Sequence, residues 1–279
     1  MKRGKVISII SIYILVIFIS VILVFPFYWM LVTSLMSRGS SLTYPPQFLP
    51  NIKEIDLSAY FNIINKKFVI RWFLNSLYVA LFSTICTIIV SSLAAYSISR
   101  YSSKFNRLMG YSLLIIKMLP GTVLIIPFYI IFLRLGLIDN HLSLIIGNVA
   151  FITPFATWMM KAFFDGIPVS LEEAAQIDGC TPLQAIWKVT LPLTAPGLSA
   201  TAIYAIVLSW NEFLLAKTFL TGQDTWTITV GVSSLLGEYV ILWNEIMAGG
   251  LISIVPVIIA FFILEKYLVS GMTAGSVKQ

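Results

Sequence analysis

Residues 6–37 read VISIISIYILVIFISVILVFPFYWMLVTSLMS, with no charged side chain between Lys5 and Arg38. A bilayer core of about 30 Å asks for about 20 apolar residues in one helix, and this run exceeds that length. The basic start Met1-Lys2-Arg3-Gly4-Lys5 resembles a secretory leader. However, the apolar stretch is too long for one and lacks a small-residue cleavage site at its end, so it reads as a retained anchor.

The rest of the chain repeats the pattern. Of its 279 residues 58% are apolar and 11% charged, with mean hydropathy +0.93. Soluble domains run at roughly 45–50% apolar and about 25% charged. A water-soluble fold of this size leaves much of its surface exposed and cannot hide the excess. The expected class is therefore an all-α polytopic membrane protein. Charge-poor runs follow at 71–100, 108–133 (interrupted by Lys117), 142–160, 198–219 (carrying Glu212) and 246–264, making six spans. The expected division is an anchor helix and outer loop over 1–70, then a core over 71–279. Segment 226–244 is apolar but broken by Gly231, Gly237 and Glu238, and reads as an external loop with a short surface or re-entrant helix.

Basic residues near span ends set orientation. With the N-terminus inside, the inner side holds Lys2, Arg3, Lys5, Arg100, Lys104, Arg107, Lys161, Lys188, Lys266 and Lys278. The outer side holds Arg38, Lys53, Lys66, Lys67, Arg71 and Arg134. Both termini are then cytoplasmic, in a bacterial or archaeal inner membrane. Two cysteines, Cys86 and Cys180, make no disulfide framework, and a single histidine, His141, makes a metal centre improbable.

One inner loop, about 162–197, is longer than a connector needs to be. Ser170 reads as an N-cap with Glu173 three residues on, a capping box, and Gly179 stands where a left-handed terminator is wanted. Thr181-Pro182-Leu183-Gln184 repeats the capping pattern. The second helix shows Leu183, Ile186, Trp187 and Leu191 as one stripe and stops before Pro192. Two short helices, 170–178 and 182–190, are expected. From the residues alone, a self-packed loop and a partner-docking loop explain them equally well.

The spacing Glu173-Ala174-Ala175, Gly179, Val189, Leu191-Pro192 resembles the EAA motif of bacterial ABC importer permeases, with Val189 where isoleucine is usual. Asn75-Ser76-Leu77, Leu93-Ala94-Ala95-Tyr96, Trp210-Asn211-Glu212-Phe213 and Gly271–Lys278 are similar to the carbohydrate-uptake branch, of maltose type. The resemblance implies a second permease subunit, two cytoplasmic ATPase subunits carrying ATP and Mg, and an external solute-binding protein. It implies that Glu172, Glu173, Ala174, Ala175, Asp178 and Gly179 contact the ATPase, and that a tail including Gly275 and Lys278 reaches between the ATPases. No phosphate-binding Gly-x-x-x-x-Gly-Lys loop occurs in the chain, so the fuel must come from another subunit. No cofactor and no nucleic acid are expected on this chain.

Charges inside spans are costly and default to functional hypotheses. Lys117 would line the pathway, pair with an acid on a partner, or snorkel to the interface. Trp210, Asn211 and Glu212 would form a sugar-facing cluster or an interfacial aromatic belt. Asn148, Thr153 and Trp158 are further candidates. Glu238 and Glu245 are expected in external solvent or facing the binding protein, and His141 in a solvated turn. The Pro-rich outer loop with Tyr44-Pro45-Pro46 and Pro50 would contact the binding protein or merely tether. The alternatives are a permease for a non-sugar solute, such as glycerol phosphate or a polyamine, and an ion-coupled secondary transporter. The latter should show paired acids deep in the bundle and no ordered docking loop.

Overall fold

The computed structural model describes residues 2–39, 48–49, 54–65, 67–101, 103–236 and 241–276. Pro45, Pro46, Pro50, Glu238 and Lys278 lie outside the described residues. Among these residues the elements are helical: α1 (Lys2–Ser34), α2 (Ser58–Asn65), α3 (Lys67–Arg100), α4 (Lys104–Met118), α5 (Gly121–Arg134), α6 (His141–Asp165) and α7 (Val169–Ile177). Then come α8 (Pro182–Ala185), a π-helical turn Ile186–Thr190, α9 (Leu191–Leu193), α10 (Ala195–Trp210), α11 (Leu214–Phe219), α12 (Ile228–Ser233) and α13 (Trp243–Ser276).

Four helices are long and apolar enough to cross a bilayer, and two bent pairs bring the number to six if each pair is one span. The expected third span is not a continuous helix. Leu119 is extended at ψ 133 ahead of Pro120, whose ring disfavours a helical residue before it. The α4 and α5 axes consequently diverge by 101°. The expected fifth span likewise ends at Trp210; Asn211–Phe213 leave the helix before α11 begins. A helix ending before Pro192 is also not what forms. The chain stays helical through Pro192 by widening one turn, with Leu191 N–H bonded back to Ile186 O. A π turn of this kind accommodates a helical position that lacks a donor.

The chain divides into two compact units, 1–70 with 232–254, and 71–231 with 255–279. In the first, the α1 side chains from Ile9 to Phe25 are exposed all round, as expected of a helix against lipid. Past its end, the Ser34 and Tyr60 hydroxyls share a 2.7 Å hydrogen bond. Glu245 was expected in solvent, yet it is 2% exposed. Arg38 Nη2 at 3.2 Å and Asn62 Nδ2 at 3.3 Å donate to its Oε1. A buried carboxylate needs such partners.

In the second unit one face of α3 carries Ser76, Val79, Ala80, Ser83, Thr87, Ser91 and Ala95, all buried. Their three- and four-residue spacing puts small side chains on a single stripe, where backbones approach closely. α6 packs against α4, α5, α10 and α11. Leu144, Leu215, Phe219, Phe132 and Val79 form the core there. Short α12 is buried rather than superficial. Ile228 N–H donates to Ser76 Oγ at 2.8 Å, and Gly231 sits against the Trp72 ring.

Candidate coupling loop and membrane cavity

α7 begins one residue earlier than its sequence suggests. Pro168 is the N-cap and offers no side-chain bond, so Ser170 lies inside the first turn and the Ser170–Glu173 capping box does not form. Proline's fixed φ is already suited to entering a helix, which explains the early start. The other end follows expectation. Gly179 has φ +91, with Cys180 N–H bonded to Ala175 O and Gly179 N–H to Gln176 O at 3.0 Å each. That is a Schellman closure. At α8 the Thr181–Gln184 capping box is complete, and proline occupies the first turn.

Glu173, Ala174, Asp178 and Gly179 are exposed and Ala175 is half-buried. Glu172, by contrast, points inward and is 4% exposed, so it is not an accessible docking contact as expected. Its Oε1 lies 2.8 Å from Arg100 Nε and Nη2, and its Oε2 accepts the Tyr96 hydroxyl at 2.7 Å. Arg100 also donates to Phe164 O at 3.1 Å and Ile167 O at 3.2 Å. Sequence reasoning missed this network, because 72 positions separate Arg100 from Glu172. The available signal was the placement of both charges at span ends on the same side.

On the second short helix, Leu183 and Trp187 are exposed. With Ile186 and Leu191 they line an apolar groove completed by Leu93 and Tyr96 of α3.

At the α4–α5 break, a cavity of about 340 Å³ is lined by Lys117, Asn148, Phe151 and Glu212 among others. Lys117 Nζ reaches Phe151 O at 3.5 Å. Asn148 is buried and donates to Ser83 Oγ at 3.4 Å. Both Glu212 oxygens accept backbone N–H groups, Leu215 at 2.6 Å and Ala216 at 2.8 Å, so this carboxylate caps α11. The expected Trp210–Asn211–Glu212 cluster is not a shared surface. Trp210 is buried edge-on to Phe73, with ring centres 5.6 Å apart, and the Asn211 amide folds back onto Val207 O. Trp158 Nε1 is bonded to Gly110 O at 3.1 Å, holding α4 to α6, and Thr153 borders a second cavity that shares Lys117, Gly121 and Phe151 with the first.

The turn before α6 is more built than expected. Asp139, at φ +61, accepts Thr221 N–H at 2.9 Å, Gly222 N–H at 3.0 Å and Thr225 Oγ1 at 2.5 Å. Burial raises this carboxyl, but the bonds from Thr225, Gly222 and Thr221 outweigh it and hold it below the usual range. His141 is not a solvated turn residue: its Nε2 lies 2.7 Å from Thr225 O. The loop after α11 is therefore held by two residues of this turn.

A family of binding-protein-dependent transport system inner membrane components matches residues 87–274. The chain belongs to that family. It is thus an inner-membrane permease, a transport subunit rather than an enzyme, working with a solute-binding protein. ATP hydrolysis is done by a separate chain. The permease is 34% identical over 260 residues to the inner membrane ABC transporter permease protein YcjP of Escherichia coli K12, covering 92% of each chain. It is 32% identical over 283 residues to the trehalose/maltose transport system permease protein MalG of Thermococcus litoralis, covering 99% of each. Its fold matches a crystal structure of a bacterial ABC transporter that imports the acidic polysaccharide alginate, with TM-score 0.80 at 24% identity over 96% of this chain and 98% of that one.

Proposed function

We propose that this permease carries an oligosaccharide across the membrane by alternating access, paired with a second permease subunit and driven by two cytoplasmic ATPase subunits that hold ATP and Mg. The cargo class is supported by relatives named for sugars. These include the trehalose/maltose protein above and the arabinooligosaccharides permease AraQ of Bacillus subtilis, 30% identical over 261 residues covering 93% of this chain and 92% of that one. Both termini face the cytoplasm in this reading.

The observation that carries the coupling role is the division of α7 into two faces. Glu173, Ala174, Asp178 and Gly179 are presented outward while Glu172 is bound inside. A loop that only joined two spans would need no such ordered, rigidly attached face. The exposed set is the grip for the ATPase, and the tail with Gly275 and Lys278 supplements it. Lys117, Asn148 and Glu212 line the solute pathway at the α4–α5 break, where a broken helix gives polar backbone access to a cavity.

Reconstitution decides the matter. Vesicles holding both permeases, the ATPases and the binding protein should import labelled oligosaccharide only with ATP present. Import without ATP, or failure of every sugar tested to be taken up while a non-sugar solute is, overturns the reading.

A further inference from the structure

The geometry points to Arg100 and Glu172 as a transmission clamp that makes α7 move as one body with the ends of α3 and α6. This rests on the reading of α7 as the surface the ATPase grips.

Arg100 is the last residue of α3, and its side chain is 7% exposed against 5% for Glu172. The guanidinium uses its rigid fork in three directions. Nε and Nη2 meet Glu172 Oε1 at 2.8 Å, Nη1 meets Phe164 O at 3.1 Å, and Nη2 meets Ile167 O at 3.2 Å. The two carbonyls belong to the C-terminal end of α6 and the turn beyond it, where the helix dipole is negative; Phe164 O accepts Ile167 N–H at 3.0 Å as well as Arg100. Tyr96 closes the network from α3 with its 2.7 Å bond to the other carboxylate oxygen, and its ring stands edge-on to Phe164 at 5.8 Å.

The covalent connection between α6 and α7 is Gly166-Ile167-Pro168. Gly166 and Ile167 N–H bond back to Phe163 O at 3.2 Å and Phe164 O at 3.0 Å and so belong to the end of α6. Pro168, which has no N–H, starts α7 without a backbone bond back to α6. Alone, it would let α7 pivot when pushed. The ion pair spans that connection and bonds α7 directly to two long helices. An isolated buried carboxylate is expensive and a buried pair must keep its geometry, so the clamp resists opening under load. Only arginine presents donors to a carboxylate and two carbonyls at once from a fixed plane. Glu172 and Arg100 are positioning residues: they touch neither solute nor ATP, and they act through the orientation of Glu173 and Gly179.

The test uses the whole transporter in proteoliposomes with its binding protein. Glu172→Gln and Arg100→Lys should keep the ATPase subunits bound and hydrolysing, while solute imported per ATP falls about tenfold, the scale of an ordinary coupling free energy. Spin labels at Tyr101 and Gln176, after replacing Cys86 and Cys180, should report one distance through the nucleotide cycle in the otherwise native protein and a spread of distances in Glu172→Gln. A 101–176 distance that changes with nucleotide in the native protein overturns the clamp even if the variants do not fold. So does an unchanged import-to-ATP ratio, or import and hydrolysis falling together with loss of the ATPase. If the clamp result stands but Glu173 and Gly179 variants still bind and stimulate the ATPase, the docking reading fails separately.

Discussion

A Cβ added to Gly231 would fall 2.6 Å from Cζ3 of Trp72 and closer still to Cδ2 and Cε3. The ring cannot retreat freely, because Trp72 Nε1 donates to Gln223 O at 2.7 Å and the ring packs on Trp226 at 5.9 Å. Gly231→Ala should therefore overpack this site and destabilise the protein by about 1–3 kcal/mol. Thermal unfolding in detergent measures it. An unchanged midpoint would mean that α12 does not sit against α3 as described.

Gly179 presents the opposite case. Nothing lies within 4 Å of a Cβ there, so any cost of substitution comes from φ +91 alone. Gly179→Ala should strain the α7 terminus by about 1–2 kcal/mol, and Gly179→Asn by less, since asparagine tolerates left-handed backbone. In co-purification with the ATPase subunits, alanine should weaken association more than asparagine. Equal loss for both would show that the side chain, not the backbone, is what the partner senses.

Asp139 links stability to acidity. Its folded-state carboxyl titrates below the usual value of 3.8, so its contribution is complete above that pH and is lost as pH falls through the lower folded value. Asp139→Ala removes three acceptor bonds and should cost about 1–3 kcal/mol, since Thr221 and Gly222 N–H groups lose their partner. Asp139→Asn should cost less and remove the acid dependence. Proteolysis of the 219–226 segment against pH reads both effects.

Lys117 and Glu212 line one cavity but should respond differently to substitution. Glu212→Ala removes the cap from α11 and should cost about 1 kcal/mol of stability. Lys117 makes one long bond to a carbonyl, so Lys117→Met should leave the unfolding midpoint in place while altering uptake. A stability loss for Lys117→Met without a transport change would remove this lysine from the pathway.

Several features were legible because they are local. Gly179 as a left-handed terminator and the Thr181–Gln184 box depend on residues within one turn of each other. The expectations that failed have two causes, a local competition at Ser170 and long-range packing at the others. Ser170 looked like a cap, but Pro168 started the helix first. Glu172 looked like a docking contact until Arg100 reached it from another helix. Trp210 and Glu212 are neighbours in sequence, yet the helix ends between them and sends one into the core against Phe73 and the other to α11.

Hydropathy alone determined that this chain crosses lipid repeatedly, because a span is a property of about twenty consecutive residues and needs no tertiary partner. The run 6–37 is such a span by itself. Hydropathy did not show that the third expected run is two helices bent by 101°. What only the tertiary structure decided is where charge ends up. Arg100 and Glu172 are both buried and lie 72 positions apart, and exposed Arg38 reaches the buried Glu245 across 207 positions. No local pattern encodes such pairs, since the low-dielectric site that makes each carboxylate need its partner exists only once the helices have packed.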